Sequence, residues 1–313
     1  CSWMKKKFSW TISPSSLFTS AGVVRALKDL ILCLTKPGDG VIIQQPVYYP
    51  FAAIIRHSKR TLVNNPLQHT NGHYTIDFVD LRKKAKNPST TMMILCSPHN
   101  PVGRVWTEDE LRQVGEICQE NSVQLISDEI HFDLLRKNIS HTPIATMFPE
   151  DDTVITCTAP SKTFNTAGLQ ISNIIINNPL LQKKWRLQTG GEEFPSPLSI
   201  TAVKAAYTQC DDWLAQLIDY LDANFLFMQD FLEQNLPKIR FTIPEGTYLG
   251  WIDFSRYGLT DQELATVLIE RGNVLLEGGT IFGPEGTGFQ RMNVACPRKT
   301  LEEGLLRIAK AFS

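Results

Sequence analysis

The chain has 313 residues, of which 42% are hydrophobic and 20% charged, so it can bury a substantial core in one large domain plus a smaller one. Its formal net charge of -1 and sequence pI near 6.7 favour neither nucleic acid nor an anionic membrane as a partner. No apolar run approaches the roughly 20 residues that span a bilayer, and the N-terminus lacks a signal peptide's apolar centre, so we expect a soluble, cytoplasmic protein.

A helix is predicted over residues 22–34, where apolar side chains recur on one face and a Pro-Gly-Asp-Gly turn follows. The apolar positions of that face are Val23, Val24, Leu27, Leu30 and Ile31. Four short apolar runs alternate with helical patterns in the first half of the chain. They span residues 40–44, 91–96, 122–127 and 153–157. Short continuous runs are typical of strands buried on both faces of a parallel sheet, so the alternation predicts an α/β fold.

A further helix is predicted to begin after Thr107, which can form a capping box with Glu110. Its buried face would carry Leu111, Val114, Ile117 and Cys118. From about Pro195 the pattern changes to long helical stretches and then to a small α+β pattern. We therefore predict a large domain, a connecting helical segment and a small C-terminal domain. These parts span residues 1–195, 196–236 and 237–313.

The seven cysteines are odd in number and scattered, with no C-x-x-C pair, and several lie inside apolar runs. They are Cys1, Cys33, Cys96, Cys118, Cys157, Cys210 and Cys296. This pattern predicts reduced, mostly buried thiols rather than a disulfide framework or a zinc site. We expect no metal.

Each of the four predicted strands runs directly into unusual polar or aromatic residues. The segments are Gln45-Pro-Val-Tyr-Tyr49, Ser97-Pro-His-Asn-Pro-Val-Gly103, Asp128-Glu-Ile-His131 and Thr158-Ala-Pro-Ser-Lys162. In an open α/β sheet, ligands bind at the carboxyl ends of the strands. The four segments therefore predict one site that combines tyrosine, asparagine, aspartate and lysine.

This combination of residue types matches the needs of pyridoxal 5'-phosphate. A lysine amine can bond to an aldehyde, a carboxylate can keep a ring nitrogen protonated, and an aromatic side chain can stack on a flat ring. The phosphate would need its own cradle, and residues 20–24 place small side chains at the start of the predicted helix, where backbone amides and the helix dipole favour an anion.

Six phrases in order resemble the fold-type I pyridoxal-phosphate enzymes of the class I/II aminotransferase superfamily, and most closely the MalY/PatB-like cystathionine beta-lyases. The phrases are PVYYPF, LCSPHNPVGRVWT, SDEIH, APSKTFNTAGLQ, GTYLGWIDF and GFQRMNVACPR. The resemblance extends from Trp3 to Phe312. It implies a mostly parallel central sheet flanked by helices, a smaller C-terminal α+β domain, and a homodimer.

The resemblance also implies roles for particular residues. Lys162 would bind the cofactor covalently and later act as the general base at the substrate's α-carbon. Asp128 would lie at the pyridine nitrogen, Asn100 would donate to the phenolic oxygen, and Tyr48 would stack on the ring. His131 stands where aminotransferases often have a tyrosine, and a buried structural histidine is an equal alternative there.

The remaining roles concern the two anionic groups. Arg291 would bind the substrate α-carboxylate, a task that suits the planar guanidinium. Gly22, Val23, Val24 and Ser161 would hold the cofactor phosphate.

Two features depart from the aminotransferase pattern. Gln170 stands eight residues after Lys162, where many aminotransferases have a phosphate-binding arginine, as expected of the lyase-like branch. The opening segment, CSWMKKKFSW, resembles a region well inside the family's sequence. We therefore expect an N-terminally truncated chain, which lacks the family's N-terminal arm and a tyrosine that reaches the phosphate across the dimer.

The predicted reaction is α,β-elimination from L-cystathionine or a related cysteine S-conjugate, which yields a thiol, pyruvate and ammonia. Transamination of amino acids is the first alternative, because the same cofactor chemistry supports it. The second alternative is a regulatory or catalytically inactive protein that binds the cofactor. The predicted partner is a small amino-acid substrate, with neither nucleic acid nor membrane.

Overall fold

The computed structural model describes residues 1–149, 151–191 and 194–313. The strands in chain order are β1 (Leu17–Ser20), β2 (Gly40–Ile43), β3 (Thr61–Asn64), β4 (Gln68–Thr70), β5 (His73–Thr75), β6 (Thr90–Cys96), β7 (Gln124–Asp128), β8 (Ile155–Thr158), β9 (Ser172–Ile175), β10 (Arg240–Phe241), β11 (Leu249–Asp253), β12 (Glu277–Gly278) and β13 (Phe289–Asn293).

The helices in chain order are α1 (Ser2–Phe8), α2 (Val23–Leu34), α3 (Pro50–His57), α4 (Phe78–Ala85), α5 (Glu108–Glu120), α6 (Pro179–Thr189), α7 (Pro197–Gln209), α8 (Asp211–Asn235), α9 (Asp261–Thr266) and α10 (Arg298–Phe312). Short 3-10 turns occur between them, and a π-helical turn, Val267–Arg271, continues α9.

The large sheet has the strand order β1-β9-β8-β7-β6-β2-β3 within the described residues. Neighbouring strands from β8 to β3 are all parallel, whereas β9 is antiparallel to both of its neighbours. In β6, Met92 and Ile94 pack into the core on one face, while Met93 and Leu95 pack into the core on the other. A strand with both faces buried has apolar residues at successive positions, which explains the continuous apolar run at residues 91–96.

Helices cover both faces of this sheet. Side chains of α2, α3 and α6, such as Leu27, Phe51 and Trp185, contribute to one core. Side chains of α4 and α5, such as Leu81 and Val114, contribute to the other. The sheet is therefore the middle layer of an α/β sandwich, with its carboxyl-end edge free to carry polar side chains.

A second, antiparallel sheet has the order β10-β11-β13-β12 in the described part of the chain. Its core also contains apolar side chains of α8 and α10, such as Phe225, Met228 and Leu305. The isolated bridge between Leu135 and Gly246 joins this part of the chain to the loop that follows β7. The division into residues 1–195, 196–236 and 237–313 stays a prediction.

The predicted α/β architecture is present, with local differences at element ends. The predicted strand 122–127 begins two residues later, because Ser122 adopts a left-handed turn that ends α5. Within residues 196–236, where the sequence predicts a helical segment, the structure has two helices that meet at Cys210, whose non-helical backbone ends α7. Two aspartates then open α8, where the positive end of the helix dipole favours them.

The Thr107–Glu110 capping box is present at the start of α5. Val24 is half-buried, although it was assigned to the buried face of α2. All seven cysteines are free thiols, but only Cys96, Cys118 and Cys157 are buried, so "mostly buried" was wrong. In the three described ranges, no helix combines the length and apolarity needed to cross a membrane.

Candidate active site

A cavity of about 230 Å³ lies at the carboxyl ends of the parallel strands β2, β6, β7 and β8. Nine of the ten predicted site residues line it: Gly22, Val23, Val24, Tyr48, Asn100, Asp128, His131, Ser161 and Lys162. The tenth, Arg291, does not line the cavity but donates a hydrogen bond to Asn100. The nine lining residues come from five separate stretches of the chain, and Arg291 adds a sixth.

Asp128 is the last residue of β7 and is only 3% exposed. Its Oδ1 accepts a hydrogen bond from the Ile130 amide at 3.1 Å. The pKa of this carboxyl group is raised to about 7, chiefly by burial and to a smaller extent by the nearby Glu129 charge, while the Ile130 amide and Lys162 act in the opposite direction. Asp128 is therefore a buried acid whose ionised form requires a cationic neighbour.

Lys162 lies in the loop that follows β8, four residues after the strand ends. Burial lowers the pKa of its amine, Arg291 lowers it further, and Asp128 and Glu277 act in the opposite direction. The next residue, Thr163, is fully buried and donates through Oγ1 to Asp133 Oδ2 at 3.0 Å. That hydrogen bond fixes the loop that carries Lys162 to the segment that follows β7.

Asp133 is the centre of this attachment. Its other oxygen accepts from Trp3 Nε1 at 3.0 Å, so the N-terminal helix α1 is bonded to the carboxylate that holds the lysine loop. Burial raises the pKa of Asp133 to about 6, and the two donated hydrogen bonds oppose that shift. Asp133 is not among the predicted site residues, although it lies two residues after His131 in the segment that follows β7.

The N-cap and the first residues of α2 line the cavity. Gly22, the N-cap, has φ of +112°, which favours glycine, and a Cβ there would meet no atom within 4 Å. The space in front of this helix end is therefore open. Ser161 and Gln170 complete this side of the cavity, with Arg25 from the first turn of α2.

Tyr48 and His131 supply the aromatic side chains of the cavity. The Tyr48 ring meets Phe51 edge to face, and burial raises the pKa of its phenol to about 12. His131 packs edge to face against Tyr248, with ring centroids 5.8 Å apart, and burial lowers its pKa to about 3. Its Nδ1 has no hydrogen-bond partner in the described part of the chain. Both rings are therefore neutral near pH 7.

Arg291 lies on β13 of the second sheet, and its Nη1 donates to Asn100 Oδ1 at 2.7 Å. Its Nε donates to Glu277 Oε2 at 2.7 Å, and its Nη2 makes a shorter bond to the same oxygen. The guanidinium also lies 4.6 Å from the Phe282 ring centroid. Glu277 was missed because a cross-strand pair with Arg291 is visible only once β12 and β13 are in register.

No cluster of histidine, cysteine, aspartate and glutamate side chains suited to a metal ion occurs among residues 1–149, 151–191 and 194–313. The chemistry available in the cavity is that of an amine, a buried carboxyl group, an amide, two neutral aromatic rings and an open helix N-terminus.

A family model described as "Aminotransferase class I and II" matches residues 1–308. The chain belongs to this family. The cystathionine beta-lyase PatB of Bacillus subtilis is 44% identical over the whole chain and over 82% of its own length. The protein MalY of Escherichia coli is 32% identical over 99% of this chain and 80% of its own length.

The fold of this family member agrees with a solved relative. The crystal structure of cystalysin from Treponema denticola, which contains a pyridoxal 5'-phosphate cofactor, superposes with a TM-score of 0.97 at 40% identity. The match includes 99% of this chain and 80% of that one. The predicted fold-type I architecture and the resemblance to MalY/PatB-like lyases are confirmed.

Proposed function

We propose that the chain is a pyridoxal 5'-phosphate-dependent C–S β-lyase that acts on L-cystathionine or related cysteine S-conjugates. Its similarity to a cystathionine beta-lyase over 82% of that enzyme's length supports the reaction class. Its similarity to cystalysin, whose structure contains pyridoxal 5'-phosphate, supports the cofactor.

Asp128 provides the main support for this cofactor from the cavity itself. A buried carboxyl group with one amide donor and a pKa raised to about 7 is poorly stabilised as an anion. A protonated ring nitrogen is the cation that would stabilise it. The amine of Lys162 and the open N-terminus of α2 suit the aldehyde and the phosphate of the same molecule, so the residues fit the cofactor.

We assign the remaining contacts by chemistry. The Oδ1 of Asn100 accepts from Arg291, which leaves the Nδ2 amide to donate to the phenolic oxygen. Tyr48 would lie against the ring, and His131 would supply a neutral polar edge nearby. The phosphate would be held by Gly22, Val23, Val24 and Ser161.

When bound, the cofactor supplies an electron sink for the bond that breaks at the substrate's α-carbon. Lys162 would take the α-proton, and its lowered pKa increases the fraction of neutral amine near pH 7. Arg291 would orient the α-carboxylate. The C–S bond breaks, the sulfur leaves as a thiol after protonation, and the three-carbon fragment takes up water to give pyruvate and ammonia.

The test separates lyase from transaminase chemistry. Purified protein saturated with pyridoxal 5'-phosphate is incubated with L-cystathionine and no 2-oxo acid. Equal amounts of pyruvate and homocysteine are expected. Product that forms only after a 2-oxo acid is added would establish transamination instead, and cofactor binding without either product would favour a regulatory role.

Lys162→Ala tests the site assignment, with the exposed Lys183→Ala on α6 as the matched control. We expect the Lys162 variant to lose the borohydride-reducible bond to the cofactor and about 100- to 10,000-fold in kcat, because a general base is worth that much. Retention of the reducible bond would contradict the assignment.

We also propose that the protein works as a homodimer in the cytoplasm. The family resemblance supports the dimer, and the composition supports the location. Analytical ultracentrifugation of the cofactor-bound protein tests the dimer. A species of 35.3 kDa at all concentrations would contradict it.

A further inference from the structure

Glu277 and Arg291 face each other across the edge of the second sheet. Glu277 lies on the short strand β12, and its Cα partner in the antiparallel register with β13 is Arg291. Directly opposite side chains of such a pair lie close enough to interact. The contact is therefore set by strand pairing and not by a chance approach of two long side chains.

The hydrogen bonds around the guanidinium leave a defined part of it available. One oxygen of Glu277 accepts from both Nε and Nη2, and Asn100 Oδ1 accepts from Nη1. An arginine side chain has five N–H donors, so two have no partner among the described residues, one on each terminal nitrogen. The Phe282 ring, 4.6 Å from the guanidinium, restricts its plane further.

We propose that Glu277 is a positioning residue that holds Arg291 by its Nε side, so that the remaining N–H groups of the two terminal nitrogens present a fork to the substrate's α-carboxylate. This inference rests on the proposed function, because it takes Arg291 as the carboxylate-binding group. Glu277 itself does not touch the substrate.

The alternative is that Glu277 competes with the substrate for Arg291. Two observations favour positioning. Asn100 lines the cavity and Glu277 does not, so a ligand in the cavity approaches the guanidinium from the Asn100 side. Glu277 also binds the Nε and Nη2 donors through a single oxygen, so that one N–H on each terminal nitrogen is left for a second carboxylate.

Glu277 has a second consequence, for Lys162. Arg291 lowers the pKa of the lysine amine, and Glu277 raises it, so the acid partly offsets the effect of its own partner. Removing the negative charge should therefore lower the pKa of Lys162 and shift any pH profile that depends on the lysine toward lower pH. A purely mechanical support would not produce that shift.

The experiment compares two ligands that differ only in the carboxylate. Cofactor-bound wild type, Glu277→Ala and Glu277→Gln are titrated with L-alanine and with ethylamine, and binding is measured by calorimetry. The exposed Glu270→Ala is the matched control. We expect Glu277→Ala to weaken L-alanine binding about tenfold and to leave ethylamine binding unchanged, because one charge-assisted contact orients the arginine.

Glu277→Gln should lie between Glu277→Ala and wild type, since its amide oxygen can still accept from Nε without the charge. With L-cystathionine, KM should rise while kcat changes less than about twofold. Tighter L-alanine binding by Glu277→Ala would show competition and overturn the inference, as would equal losses for both ligands or no loss for either.

The calorimetric result does not depend on turnover. If Glu277→Ala binds L-alanine more weakly than the wild type as expected, but the wild type forms no pyruvate from L-cystathionine, the lyase proposal fails and the role of Glu277 stands. If pyruvate forms but Glu277→Ala binds L-alanine like the wild type, the role of Glu277 fails and the lyase proposal stands.

Discussion

Two neighbouring carboxyl groups at the end of β7, Asp128 and Glu129, are buried in very different surroundings. Glu129 is fully buried, and its oxygens are bonded to the Ser127 hydroxyl at 2.9 Å, the Ile144 amide at 3.2 Å and His141 Nε2 at 3.0 Å. Among the residues that the structure describes, the Asp128 side chain accepts only from the Ile130 amide, and it lines the cavity.

The contrast follows from the strand geometry, since successive side chains point to opposite sides. One side of the strand end is closed by the loop through His141 and Ile144, and there the carboxylate holds structure together. The other side is open to the cavity, and there the carboxyl group lacks enough donors to be a stable anion. We therefore infer that the Asp128 side of the strand end is the binding side.

The largest expected effect comes from Asp128→Asn, which keeps the shape and removes the charge. We expect kcat/KM for L-cystathionine to fall about 100- to 1000-fold, because a preorganised charge at the reacting group is worth roughly that much. Steady-state kinetics and circular dichroism measure the activity and the fold. Activity within tenfold of wild type would show that Asp128 does not face the cofactor nitrogen.

Glu129→Ala should produce the opposite pattern. Removing the Glu129 carboxylate leaves the Ser127 hydroxyl, the Ile144 amide and His141 without their acceptor. We therefore expect a loss of about 3 kcal/mol in the free energy of unfolding. Urea denaturation of the variant and of Glu129→Gln, which keeps one acceptor, measures this. A stable Glu129→Ala protein with reduced cofactor affinity would remove the distinction between the two acids.

In protein stripped of cofactor, the pH dependence of stability reports on the Asp128 carboxyl group. Because folding raises the pKa of Asp128 from 3.8 to about 7, the unfolded chain ionises first as the pH rises. As the pH rises between those two values, the wild type should lose about 4 kcal/mol more of its free energy of unfolding than Asp128→Asn does. Above pH 7 this difference should stay constant. Parallel stability curves for the two proteins between pH 4 and pH 8 would contradict the raised pKa.

The smallest effect is expected at His131, the other polar side chain of the same segment. Its pKa is lowered to about 3, so the ring is neutral at pH 5 and above. Because its Nδ1 has no partner among the described residues, His131→Asn should reduce kcat/KM by no more than about tenfold. The pH profile of kcat/KM should show no transition from this group near pH 6.5. A transition near pH 6.5 that is present in the wild type and absent from His131→Asn would contradict this prediction.

Much of the site could be predicted because its residues follow directly from buried strands. Asp128 and Lys162 stand at or just after the ends of β7 and β8, and a parallel sheet brings such ends together. The identification of individual roles needed the family resemblance, since a run of polar residues does not say which carboxylate faces the ligand. Asp128 and Glu129 are adjacent, and only packing distinguishes them.

The order of strands and helices, the α/β class and the segments that meet at the cavity could be predicted from the sequence, because periodicity, capping and turn residues act over a few neighbours. The contacts between distant segments became visible only in the folded structure. Arg291 reaches Asn100 across 191 positions, and Asp133 joins Trp3 to Thr163. Such pairings depend on strand register and on how whole layers pack, and no local pattern encodes either one.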